Sequence, residues 1–202
     1  MASDFHTHIP RDGINALISS AELLPGHLTS LEIHPWYLPE TFSPALLPDH
    51  EKLYPFAAVG EIGLDKLRGP ESVVQEQFLR AILDLAADTC KPVVIHAVRS
   101  YPEIFAILKH YRLKVMIHGF RSSPEMLDEL WRKKFTVSFH PSALNNPALM
   151  NKLRHASGKF GFESDASNDI DIRDTLDSVA AKFAIPDLEK MTDQYFADFL
   201  EI

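Results

Sequence analysis

The residues best equipped for chemistry in this chain lie at the ends of short apolar runs. Asp4-Phe5-His6-Thr7-His8 carries two imidazoles two positions apart, Glu61 sits in Phe56–Ile62, His96 closes Val93–His96, His118 closes Lys114–His118, and Asp165 follows Lys159–Phe162. On a strand, residues i and i+2 share a face, so His6 and His8 present their rings side by side, about 7 Å apart at the backbone. Glu61 lies where a carboxylate rarely sits without a partner or a metal. Four imidazoles and two carboxylates exceed the needs of one tetrahedral ion. They suit a pair of divalent ions about 3.5–4 Å apart, bridged by a carboxylate and a water. In that arrangement Glu61 bridges the ions, and Asp165 orients the water or accepts its proton. Glu61 and Asp165 are thus the candidate catalytic residues. The candidate metal ligands are His6, His8, Glu61, His96, His118 and Asp165. No Ser, Cys or Lys nucleophile is required.

The elements that must position these residues follow from the apolar pattern. Candidate strands are Ser3–His8, Ile14–Ser19, Thr29–His34, Phe56–Ile62, Val93–His96, Lys114–His118, Phe135–Phe139 and Lys159–Phe162. The all-apolar run Val93-Val94-Ile95 is of the kind found in a parallel sheet covered on both faces. Helical spacing appears after the fourth strand, where Val74, Phe78, Ile82 and Ala86 recur on one face. Ser72 with Gln75, Ser100 with Glu103 and Ser122 with Glu125 form capping-box patterns ahead of three helices. Two amphipathic helices end the chain, one carrying Ile172, Leu176 and Val179, the other Leu188, Met191, Tyr195 and Phe199. Eight strands alternating with helices predict an α/β fold, a TIM-like (β/α)8 barrel. Pro39, Pro44, Pro48 and Pro55 leave no room for a long helix before the fourth strand, so the barrel is expected to be distorted and shortened in its first βα units. An open, doubly wound sheet is the alternative. In a barrel, the C-terminal ends of the strands open at one mouth, which is where the candidate residues fall.

The 202 residues, 46% of them hydrophobic, suffice for one core and are read as a single domain over residues 1–202. The net charge of −8 excludes a protein that holds nucleic acid chiefly by a broad basic surface. It is compatible with a nuclease, because bound cations receive phosphate at an acidic site. No apolar run approaches 18 residues, so no membrane span is expected. Cys90, the one cysteine, has no intrachain partner. With no secretory pattern at the N-terminus, a cytoplasmic setting is expected.

The motifs in order, Asp4-Phe5-His6-Thr7-His8, His34-Pro35, Val59-Gly60-Glu61-Ile62-Gly63-Leu64-Asp65, Pro92-Val93-Val94-Ile95-His96, Ile117-His118-Gly119-Phe120 and Glu163-Ser164-Asp165, resemble those of the TatD-like metal-dependent deoxyribonucleases, within the amidohydrolase-type barrels. The resemblance runs over most of the chain. It implies a hydrolase that cleaves phosphodiester bonds in DNA with a metal-activated water and two divalent ions (Zn, Mg or Mn). It carries the ligand role onto the six residues named above and suggests that His34 lines the substrate pocket. The chain departs from the family in its short segment between His8 and His34, in Glu32 before Ile33-His34, in Val98 and Arg99 after His96, in Arg121, and in His140-Pro141. Arg99 is the candidate phosphate contact. These departures touch substrate positions rather than ligands. A small-molecule phosphoesterase or amidohydrolase on the same centre, or an inactive barrel with a binding role, is therefore the competing reading. No membrane and no obligate protein partner are expected. Trp36 and Tyr37 either stack on a base or plug the barrel end, Asp65 is read as fixing the turn after the fourth strand, and Glu163 as supporting the last strand.

Overall fold

The computed structural model describes residues 1–202. Its eight strands are β1 Ser3–Thr7, β2 Asn15–Ser20, β3 Leu28–Leu31, β4 Ala58–Asp65, β5 Val93–Val98, β6 Val115–Ile117, β7 Thr136–Phe139 and β8 Phe160–Phe162. Neighbours follow chain order, the pairings are parallel, and β8 returns to β1, giving the closed (β/α)8 barrel. The open-sheet alternative is thereby excluded. β1 and β4 are buried along their whole length, as strands with a filled barrel on one side and covering elements on the other must be. The main difference from the sequence reading is at β4. It continues as strand through Gly63-Leu64-Asp65, so Glu61 lies within the strand and Asp65 ends it.

The shortening falls in the first three βα units. The links at 8–14 and 21–27 contain no helix. Between β3 and β4 there are two 3₁₀ turns, Pro35–Tyr37 and Pro44–Leu46, and the one-turn helix α1 His50–Leu53. Prolines open both 3₁₀ turns, where a missing N–H costs nothing. The remaining helices are α2 Ser72–Asp88, α3 Tyr101–Leu108, α4 Pro124–Arg132, α5 Pro147–Arg154, α6 Ile172–Phe183 and α7 Leu188–Leu200.

The capping boxes are not formed as the sequence suggests. Ser72 is already inside α2, behind Glu71, and Ser123 rather than Ser122 caps α4 through the Met126 N–H. Ser100 stands at the start of α3, but its hydroxyl donates to the Leu64 carbonyl instead (2.9 Å). Gln75 is also diverted: its amide donates to the carbonyls of Asp65, Arg68 and Pro70, and its oxygen accepts the Asp65 N–H (2.8 Å). Both side chains satisfy buried carbonyls at the end of β4, which have no water to turn to.

Packing gathers the chain into two compact units, Met1–Ile18 with Met116–Ile202, and Ser19–Val115. In the first, α7 packs on β1 and β8. Phe5 meets Phe196 edge to face at 5.3 Å, and Asp193 of α7 accepts from the Ser3 hydroxyl (2.5 Å) and the Asn15 amide (3.1 Å). In the second, α2 lays Phe78, Leu79, Ile82, Leu83 and Ala86 against β4, fully buried. Each larger side chain there contributes about 1.5–3 kcal/mol. No helix of the chain is long and apolar enough to cross a membrane.

Candidate metal centre

Each compact unit contains its own set of the residues singled out above. In Ser19–Val115 the set is His34, Glu61 and His96. Their donor atoms lie within 4.8 Å of one another, and all three residues are buried, Glu61 to 2% exposure. The backbone allows this because Gly63 pairs with His96 in the β4–β5 register. Gly63 has φ +152°, and a Cβ there would collide with the His96 carbonyl.

Hydrogen bonds assign the protons in this set. The His34 Nδ1 accepts the Trp36 N–H (3.1 Å), capping the Pro35 turn. The proton of the neutral ring therefore sits on Nε2, which donates to Glu61 Oε1 at 3.0 Å. His96 lies between two carboxylates, its Nδ1 2.5 Å from the same Glu61 oxygen and its Nε2 3.0 Å from Asp65 Oδ2. Asp65 also accepts the Trp36 indole N–H (2.5 Å) and the Leu67 N–H (2.8 Å). Burial alone would raise the Asp65 carboxyl, but these donors and His96 hold it below the usual carboxylate range. Asp65 thus acts as an acceptor, which puts a proton on His96 Nε2 and leaves Nδ1 as the nitrogen that faces Glu61. Without a cation, a proton on Nδ1 fills the 2.5 Å contact; a bound cation takes that proton's place between the nitrogen lone pair and the carboxylate. The His96 imidazole and the Glu61 carboxylate are donors of the kind that hold Zn²⁺, Mn²⁺, Co²⁺ or Ni²⁺, so these two residues fit a divalent ion, with His34 holding the carboxylate in place.

Ser19 supports Glu61 from β2, its hydroxyl accepting the Glu61 N–H at 3.1 Å. Nothing in the sequence singles out Ser19. Trp36 is pinned between Asp65 and the Arg68 guanidinium, 4.4 Å from its ring, whereas Tyr37 is 77% exposed. Arg99 is exposed just past β5 and takes part in none of these bonds.

The other unit contains His6, His8, His118 and Asp165. The His6 ring is fully buried and lies 5.1 Å from that of His8 and 4.3 Å from that of His118. The end of β1 is zipped to the segment after β8. The Asp165 N–H donates to the His6 carbonyl (3.0 Å), and the His8 N–H donates to the Asp165 carbonyl (3.1 Å). This zipper brings the Asp165 carboxylate to 3.6 Å from His8 Nε2, with Asp165 in the left-handed region at φ +51°. Asp171, not Asp165, caps the following helix.

Two further carboxylates support this set. Glu163 is fully buried, 3.5 Å from His118 Nδ1, and accepts the Ser138 hydroxyl. Burial would raise its carboxyl, but the His118 and His6 imidazoles and the Ser138 hydroxyl bring it down to about 2. Asp4 accepts both the N–H (3.0 Å) and the hydroxyl (2.6 Å) of Ser164, tying β1 to the end of β8, yet burial still pushes it up to about 7. Asp65 and Glu163 do support a turn and a strand end, as the sequence suggests, and each also contacts an imidazole. His140 repeats the device of His34, its Nδ1 accepting the Ser142 N–H (3.2 Å) to cap the 3₁₀ turn Pro141–Asn145.

A pH dependence follows from Glu163. Its carboxyl is lowered in the folded state, so its stabilisation is complete above the unfolded value of about 4.3 and is lost as pH falls towards 2. Glu163→Gln is expected to shorten the acid limb of unfolding between those values. It should also destabilise the metal-free protein at neutral pH by about 3–5 kcal/mol, as when one partner of a buried pair is removed. Circular dichroism against pH measures the first effect and urea titration the second. An unchanged acid limb would refute the assignment.

A family model described as TatD related DNase matches residues 5–158, which include every candidate ligand except Asp165. An uncharacterised metal-dependent hydrolase of Methanocaldococcus jannaschii is 26% identical over 137 residues, covering 60% of this chain and 54% of the relative, so the chain spans about half of that protein's length. Among solved structures, the TatD homologue YjjV from Escherichia coli superposes with a TM-score of 0.73 over 100% of this chain and 98% of its own, at 18% identity. A TatD-family hydrolase from Entamoeba histolytica gives 0.58 over 73% of this chain and 62% of its own, at 15% identity. At those identities the likeness is one of fold. The family match, by contrast, spans most of the sequence, and on that ground the chain belongs to the TatD-related DNase family.

Proposed function

We propose that this chain is a metal-dependent hydrolase that cleaves phosphodiester bonds in DNA. The observation that carries the reading is the buried His34–Glu61–His96 group, whose imidazole nitrogens and carboxylate oxygen converge within 4.8 Å of one another. In this reading His6, His8, Glu61, His96, His118 and Asp165 are the ligands of two divalent ions, of which Zn, Mn and Mg are the candidates. The parallel strand order supports this, because in such a barrel every strand's C-terminal end opens at one rim.

When bound, the ions polarise the phosphoryl oxygen and lower the pKa of the attacking water. The chain's own residues do the rest. Asp165 accepts the proton of that water at its carboxylate, and its 40% exposed side chain can pass the proton on to solvent. Glu61 is held in place by His34 Nε2–H and by Ser19 through the backbone. Arg99, exposed beyond β5, is the proposed phosphate contact, and His34 also borders the substrate. The DNA assignment draws on the family's description and on Tyr37, an exposed ring 5.5 Å from that of His34. An aromatic face beside the hydrolytic site suits a nucleobase, since every base stacks.

The test is digestion of single-stranded oligonucleotides, run metal by metal. Degradation that depends on added Zn²⁺, Mn²⁺ or Mg²⁺ is expected. Tyr37→Ala is expected to raise KM for the oligonucleotide roughly tenfold with kcat unchanged. Hydrolysis of bis-p-nitrophenyl phosphate with oligonucleotides left intact would transfer the reading to a small-molecule phosphoesterase. Failure to bind any divalent ion would end both.

A further inference from the structure

We propose that Asp65 is a positioning residue that selects Nδ1 as the metal-ligating nitrogen of His96. This rests on the reading of His96 as a ligand. The geometry leaves Asp65 one role. Its Oδ1 accepts the Leu67 N–H (2.8 Å), its Oδ2 accepts the Trp36 indole N–H (2.5 Å), and His96 Nε2 lies 3.0 Å from that same Oδ2. A carboxylate so surrounded accepts and does not donate. His96 must therefore carry its proton on Nε2, and the nitrogen that turns to Glu61 is Nδ1. A histidine ligand whose second nitrogen donates to a carboxylate is fixed in tautomer and orientation and made more basic.

The carboxylate is itself fixed. Asp65 is 3% exposed at the last position of β4, and Gln75 takes up both its backbone N–H and its carbonyl. Trp36 delivers its N–H to Oδ2, the same oxygen that receives His96. The Trp36 ring is in turn 5.8 Å from the His96 ring, so the indole both holds the carboxylate and bounds the imidazole. Glu163 stands in the same relation to His118, 3.5 Å from its Nδ1, so there the chain points a carboxylate at the opposite ring nitrogen.

Asp65→Asn tests this at nearly constant volume. The carboxylate accepts N–H groups at both oxygens, so in the amide the NH₂ must face one of them, and the oxygen that remains carries no full charge to hold the His96 Nε2 proton. Expected is a 10- to 100-fold loss of Zn²⁺ affinity, measured by competition with a chelator. Nitrogen NMR of the zinc-loaded wild type should show a protonated Nε2 on His96. Trp36→Phe removes one donor and keeps the carboxylate, and is expected to bind Zn²⁺ within a few-fold of wild type. Wild-type affinity in Asp65→Asn, or a protonated His96 Nδ1 in the loaded wild type, overturns the proposal. So does a loss in Trp36→Phe as large as in Asp65→Asn, which would trace the effect to the loop. If the wild type takes up no zinc, the metal-centre reading itself fails, a result distinct from all of these.

Discussion

Asp165→Asn is expected to lower turnover of an oligonucleotide by about 10²- to 10⁴-fold, the range for loss of a positioned general base, while the protein stays folded and retains most of its metal. The substitution is chosen for its backbone. Asp165 sits at φ +51°, a conformation that asparagine tolerates as well as aspartate does. Its N–H and carbonyl, which zip β1 to the end of β8 through His6 and His8, are unaffected by the change. What is lost is a carboxylate oxygen 3.6 Å from His8 Nε2, and with it the group proposed to take the proton from water. A steady-state comparison at matched metal content measures the effect. Turnover within a few-fold of wild type would remove Asp165 from the proton transfer.

Gly63→Ala is expected to destabilise the protein by about 3–5 kcal/mol, the sum of a strained backbone and an overpacked contact. Gly63 pairs with His96 across β4 and β5, and an added Cβ would strike the His96 carbonyl, carbonyl carbon and amide nitrogen. Those atoms are strand backbone in the barrel wall and cannot swing aside. At φ +152° an L side chain is disfavoured even without the collision. The loss should appear as a lower urea midpoint with an unchanged slope, together with weakened metal binding as His96 is pushed from Glu61. Gly26→Ala is the control. It shares a positive φ of +80°, but nothing lies within 4 Å of its added Cβ, so it should cost about 1 kcal/mol. Equal losses in the two variants would show that close approach at Gly63 contributes nothing.

The positions of the strands and of the chemistry were legible in the sequence for one reason. A strand buried on both faces is written as a short apolar run, and a parallel barrel collects the polar residues that end such runs. Hence all eight strands lie within or close to the expected runs, and the prolines between β3 and β4 announced the missing helices. The candidate histidines and carboxylates were likewise legible in the sequence, because a carboxylate such as Glu61 among apolar neighbours calls for a partner or a metal, and His34 and His96 do lie beside it.

Only the tertiary structure decided which side chain holds which. Asp65 and His96 are 31 residues apart, and Ser19 and the Glu61 N–H are 42 apart. The first pair meets because β4 and β5 lie side by side, and the second because Ser19 on β2 reaches past β3 to Glu61 on β4. Local patterns were misleading for the same reason. Gln75 and Ser100 look like helix caps, yet both are drawn to buried carbonyls at the end of β4, where unsatisfied groups cost more than a frayed helix terminus. The ring nitrogen that each histidine presents is likewise a matter of partners brought from other strands. The sequence therefore named the candidate residues, and the pairing of the strands decided which partners their nitrogens and oxygens meet.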